Sequence, residues 1–132
     1  MSTSFISQNN GFEIEVKTEF DFENSNPLQY HFLFRYIVFI TNLNGPKAQL
    51  VSRKWNIKDA KGEVRVVEGP GVIGQTPHID HGETFEYSSF CPLSTLTGEM
   101  WGHFNMIGAD GNFQIKTPVF KFKIPNEYID RY

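Results

Sequence analysis

Cysteine is nearly absent from this chain. The lone thiol, Cys91, rules out an internal disulfide, so the core must hold by packing alone. Long apolar runs are missing too, and no stretch approaches the roughly 18 residues of a membrane span. Basic charge is scarce: 12 Lys and Arg stand against 15 Asp and Glu, for a net charge of −3. That leaves no basic stripe to neutralise phosphates and argues against a nucleic-acid binder. The opening "MSTSFISQNNGFE" has neither the charged nor the apolar region of a signal peptide. With a single cysteine, the expectation is a cytoplasmic protein without membrane insertion. Helical periodicity is the last absence, since no long stretch repeats its apolar residues at 3.6.

What is present is aromatic. Thirteen Phe, five Tyr and two Trp must fill most of the interior (13, 5 and 2 in the composition). The apolar period is two. Phe12, Ile14 and Val16 alternate with Glu13, Glu15 and Lys17, the pattern of a half-buried strand. "YHFLFRYIVFIT" puts Tyr30, Phe32, Phe34, Tyr36, Val38 and Ile40 on one parity and Leu33, Ile37 and Phe39 on the other, as a central strand would. "AQLVSRKWNIKD" sets Val51, Arg53, Trp55 and Ile57 on one face, and Phe85 and Tyr87 alternate with Glu86 and Ser88. Met100, Phe104 and Met106 share a side, and Asp110-Gly111 signals a hairpin. Thr117-Pro118 predicts a bulge or an edge. Short strands with turns at close intervals predict an all-β fold: a single antiparallel β-sandwich of seven or eight strands over residues 11–125. Residues 1–10 read as a flexible N-terminal tail and 126–132 as a C-terminal tail.

The segment "VVEGPGVIGQTP" (Val66–Pro77) spaces Gly69, Gly71 and Gly74 as G-x-G-x-x-G. A dinucleotide fingerprint needs a helix after the glycines, with its N-terminus facing the pyrophosphate. Here Pro77, Gly82 and another period-two run follow, and Pro70 removes a donor. The dinucleotide reading fails. Two others stand: a crossing loop in which glycine permits positive φ, or a backbone nest at Gly71, Val72, Ile73 and Gly74, aided by Arg53, for a phosphate or a partner's carboxylate. As a structural clamp, the loop should hold Gly71 or Gly74 at positive φ and tuck Val72 or Ile73 against the sandwich.

"GPGVIGQTPHIDHGETFEYSS", "TGEMWGHFNMIGADGNF", "IKTPVFKFKIP" and the upstream "SRKWNI" together resemble the ApaG (CorD) family, over roughly Phe12 to Pro125. The resemblance implies a fibronectin type III-like sandwich without established catalytic activity. It also implies an association with cobalt resistance, magnesium efflux and genes for diadenosine tetraphosphate hydrolysis. Eukaryotic relatives carry the domain in an F-box protein and a polymerase-interacting protein, which suggests protein binding. The sequence departs from the family pattern at Pro70, at His81 before Gly82, and in "STLTGEM".

Other candidate chemistry is thin. His78, Asp80 and His81 form H-x-D-H, residue types that suit a divalent transition metal, but His81 points away from the other two on a strand, so a solvated loop is the stronger reading. Arg53 stands beside Trp55 on one face, free to meet an anion or a neighbouring glutamate, while Trp55 itself reads as a core anchor. His103, between Gly102 and Phe104, reads as a partly buried hydrogen-bonding residue. Cys91 has no neighbouring base to activate it. The expectation is a non-enzymatic module without a cofactor that binds an unknown protein partner, or alternatively a sensor of small phosphate-containing ligands.

Overall fold

The period-two runs become strands that alternate buried and exposed side chains. A computed structural model describes residues 3–129, with side chains to Tyr128. In order the elements are β1 (Thr3–Asn9), β2 (Phe12–Phe20), β3 (Phe32–Asn42), β4 (Ala48–Asp59), β5 (Val64–Pro70), β6 (His78–Ile79), β7 (Thr84–Leu93), β8 (Thr97–Gly108), β9 (Gly111–Lys116), β10 (Phe120–Lys123) and the helical turn α1 (Asn126–Ile129). One sheet runs β1-β2-β3-β7 and the other β10-β8-β4-β5, with β9 on β8 and β6 on β4. All pairings are antiparallel. Without β1, the order β2-β3-β7 against β10-β8-β4-β5 is the three-plus-four arrangement of a fibronectin type III sandwich. No described helix is long and apolar enough to cross a membrane.

Three features exceed the expected seven or eight strands. First, the tail assigned to residues 1–10 is a strand over Thr3–Asn9, paired along its length with β2. Its cause is Asn10-Gly11, both at positive φ (52° and 80°), the two-residue turn that closes hairpins tightly. Its side chains then stitch the sandwich shut. Ser7 Oγ and Asn9 Nδ2 donate to the Lys116 carbonyl at 2.8 and 2.9 Å, and the Lys116 N–H returns a bond to Asn9 Oδ1 at 2.7 Å. Second, β9 and β10 lie along the same edge of β8, and the register slips by one residue across Thr117–Val119. Thr117-Pro118 is thus the expected interruption. Third, β6 adds two residues to the β4 edge. At the other end of the chain, residues 126–129 of the expected tail form α1, and Tyr128 stacks on Phe22; residues 130–132 lie outside the described residues.

The core is the inward parity of both sheets. Phe12, Ile14, Val16, Phe34, Val38 and Ile40 face Leu50, Met100, Phe104, Met106 and Phe120, all almost fully buried. Tyr30 does not join its expected parity: it is exposed at φ +53, outside β3. At the centre stands Trp55, edge-on to Phe104 and Phe120 at 5.6 Å each and to Tyr36 at 5.9 Å. Such pairs add about 0.5–1.5 kcal/mol each beyond their buried area. Gly102 lies directly across from Trp55 on β8, where a Cβ would drive into the Lys54 carbonyl, so only glycine lets β8 approach here. The buried Asn42 is satisfied, donating to the Pro46 and Ile79 carbonyls at 3.0 and 3.1 Å and accepting from the Gly45 N–H at 2.9 Å.

Candidate functional site

The β4 strand carries a bulge between Leu50 and Ser52. Before it, Ala48 and Leu50 point inward; after it, Trp55 and Ile57 do. The shift removes Val51 from the face expected to hold Arg53, Trp55 and Ile57. It also turns the Val51 carbonyl to the strand edge, where the Gly71 N–H donates to it at 2.8 Å. The glycine segment is therefore a hairpin tip inserted at the bulge, between β5 and β6.

Within that tip, Val72 and Gln75 exchange backbone bonds of 2.8 and 2.9 Å. Ile73 and Gly74 between them stand at φ +47 and +74, the signs of a type I′ turn. Of the four N–H groups of the expected nest, those of Gly71 and Val72 are already committed within the fold, to the Val51 and Gln75 carbonyls. The three glycines have separate tasks. Gly69 leaves room for the Arg53 guanidinium lying over it, Gly71 takes positive φ where a Cβ would meet the Gln75 carbonyl, and Gly74 completes the turn. Val72 is fully buried as the apolar anchor, while Ile73 is 59% exposed. A β-branched residue at positive φ is a backbone outlier.

Arg53 belongs structurally to this turn. Its Nη1 donates to the Pro70 and Gly71 carbonyls at 3.1 and 2.9 Å. Beneath the turn, the facing edges of β5 and β7 leave a cleft of about 220 Å³. Tyr36, Trp55, Tyr87, Arg53, Arg65 and Cys91 line it, with Val72 and Ile73 at its rim. Arg65 reaches across the gap to donate from Nη2 to the Pro92 carbonyl at 2.7 Å, with Cys91 Sγ 3.8 Å away. Burial pushes the Tyr87 hydroxyl well above the ordinary phenol range, with nearby Tyr36 adding and Arg53 opposing. Tyr36 is raised by burial as well, against a hydrogen bond with Ser89. The Cys91 thiol is raised by burial and drawn back by Arg65. The interior groups are therefore neutral at physiological pH, and the fixed charge is that of the arginines.

Sequence reasoning named Arg53, Gly69, Gly71, Val72, Ile73 and Gly74, and the structure brings these together. It overlooked Tyr36, Tyr87 and Arg65. Parity held a signal for Arg65, which faces Ile57 across the β4–β5 pair and must point to the inner side with it. The metal candidates do not converge. His78 is exposed on β6, and His81 is exposed in the following turn. The Asp80 carboxylate accepts from the His81 N–H at 2.7 Å and lies 3.9 Å from Lys47 Nζ. Among the described residues no three His, Cys, Asp or Glu side chains gather as a metal site would.

Known proteins share this architecture. A family model, the ApaG domain, matches residues 22–108. Protein ApaG of Anaeromyxobacter dehalogenans is 46% identical over 116 residues, covering 87% of this chain and 91% of the relative. Protein ApaG of Brucella canis is 39% identical over 118 residues, covering 89% and 91%. The crystal structure of an ApaA protein from Bordetella pertussis superposes with a TM-score of 0.84 at 39% identity, covering 87% of this chain and 94% of that one. With the family model spanning most of the sandwich and relatives aligned over nearly all of it, this chain belongs to the ApaG family.

Proposed function

We propose that the chain is a non-catalytic binding module of the cytoplasm that holds a protein partner along the free edge of β5 and the tip of the adjoining turn. The observation behind this reading is Ile73, an apolar β-branched side chain held outward at positive φ. Strained backbone that persists in a rigid setting points to a functional constraint. Beside it, β5 ends its sheet and exposes Val64, Val66 and Val67. A free edge with alternating side chains is the template for strand addition, in which the main chain gives affinity and the side chains give selectivity. The family's association with cobalt resistance and magnesium efflux enters as the activity of a protein that the module binds, not as ligation by His78, Asp80 and His81.

Site-specific photo-crosslinking in cells tests the reading, with the probe at Ile73, at Val66 and, as control, at Ile6 on the opposite edge. The expected result is one discrete protein adduct from positions 73 and 66 that Ile6 does not give. Equal labelling from all three would refute the edge. Turnover of diadenosine tetraphosphate or a nucleoside triphosphate, abolished by a point change in the domain, would refute the absence of catalysis.

A further inference from the structure

Two residues that line the cleft between β5 and β7 carry buried polar atoms with no partner among the described residues. Trp55 is 2% exposed and Tyr87 8%, yet among the described residues neither the indole Nε1 nor the phenol oxygen has a hydrogen-bond partner. A buried polar group left unpaired costs about 1–3 kcal/mol, so native folds rarely keep one without a reason. Here the two residues that carry them line the same small space. An indole N–H can only donate. Its missing partner is an acceptor.

Charge points the same way. Arg53 and Arg65 both line the cleft, and among the described residues no Asp or Glu does. Neither guanidinium is in an ion pair among the described residues. Arg53 uses Nη1, and Arg65 uses Nη2, on carbonyls and the Cys91 sulfur. A guanidinium carries five N–H donors, so each fork has donors to spare. With Arg53 half-buried and Arg65 exposed at the mouth, two arginines without an acidic partner give this opening a positive field, even on a chain of net charge −3. At about 220 Å³ the space lies below the roughly 300–1,000 Å³ of drug-sized pockets, which excludes a dinucleotide.

We propose that this cleft binds an oxyanion, a carboxylate or phosphate carried on a group no larger than an amino-acid side chain, held by the Arg65 guanidinium, the Tyr87 hydroxyl and the Trp55 indole N–H. The donors are side chains of β4, β5 and β7, not the backbone of the glycine turn, which supplies only the rim. The site goes beyond the β5 edge proposed above and is read by a different signal, so either can fail alone.

The whole chain, labelled with 15N, reports on the cleft through the indole N–H signals of Trp55 and Trp101, which the Trp101→Phe variant assigns. Inorganic phosphate, glutarate and the blocked tripeptide N-acetyl-Ala-Glu-Ala-amide are titrated at constant ionic strength, with glutaramide as the uncharged control. The Trp55 signal should move and saturate at millimolar concentration with at least one of the three anions. Trp101 should stay in place, and glutaramide should do nothing. Saturation at lowest concentration by the peptide assigns the oxyanion to a protein partner, and by phosphate or glutarate to a free small molecule. Arg65→Gln should weaken the effective anion about tenfold, as loss of a charged hydrogen bond does, and Arg65→Lys should weaken it less. No saturable movement of Trp55 with any of the three anions overturns the proposal, as does an unchanged midpoint in a folded Arg65→Gln chain.

Discussion

Two turns of this protein share a backbone and differ in the residue placed on it. Asn10-Gly11 stands at φ 52° and 80°, and Ile73-Gly74 at 47° and 74°. Asn-Gly is the pair that a type I′ turn favours. A residue with a bulky Cβ pays about 1–2 kcal/mol in the same region. The Asn10 turn lies on the closed side of the sandwich, where the Gly11 carbonyl accepts from the Leu43 and Asn44 N–H groups at 2.9 and 3.1 Å. The Ile73 turn lies on the open side, at the mouth of the cleft. Core packing does not require Ile73, because Val72 beside it is the buried anchor. Where the chain only has to turn, it uses the residue that turns best; at the cleft it keeps an exposed hydrocarbon in a strained position.

The largest loss of stability should come at Gly11. Its φ is positive, and a Cβ there would collide with the Gly45 backbone, so Gly11→Ala should lose about 2–3 kcal/mol in denaturant melts. Gly74→Ala, positive in φ but facing open space, should lose only about 1 kcal/mol.

Alkali distinguishes the open side next. Tyr87 and Tyr36 have folded-state pKa values raised by burial above the ordinary 10.0, so the unfolded chain releases these protons first. Stability should therefore be intact below about pH 9 and fall as pH rises past 10, by about 1.4 kcal/mol per pH unit for each group until its folded pKa is reached. Cys91, raised from 9.0, starts the loss nearer pH 9. Denaturant midpoints across this range should decline less steeply in Tyr87→Phe, and an equal slope would contradict the burial argument.

A residue exchange sharpens the contrast between the turns. Asn10→Ile should cost about 1–2 kcal/mol, the penalty of a β-branched residue at positive φ. Ile73→Asn should have the smallest effect and the opposite sign, gaining up to about 1 kcal/mol by restoring the favoured Asn-Gly pair. An Ile73→Asn chain carrying the crosslinking probe at Val66 should lose the adduct expected from that position. A stabilised variant that still binds its partner would separate the strain from recognition.

Much of this fold was legible as period-two patterning, because each sheet has one inner face and its apolar residues must recur at every second position. Phe12, Ile14 and Val16 of β2 and Met100, Phe104 and Met106 of β8 are buried as that rule requires. The β1 strand escaped because its side chains, mostly polar, face solvent or the β9 seam and leave little alternation to read. The Asn10-Gly11 pair was nonetheless a local signal for it.

By itself the sequence determined the sandwich, the aromatic core around Trp55 and the use of glycine between residues 69 and 74. These follow from side-chain period and backbone sterics, which act over a few neighbouring residues. Only the tertiary structure decided that the β4 bulge would reverse parity after Leu50 and offer the Val51 carbonyl to Gly71. It alone decided that Tyr36 from β3, Trp55 and Arg53 from β4, Arg65 from β5 and Tyr87 from β7 would meet in one cleft. Those strands are distant in the chain, and no local preference encodes which edges of two sheets will face each other.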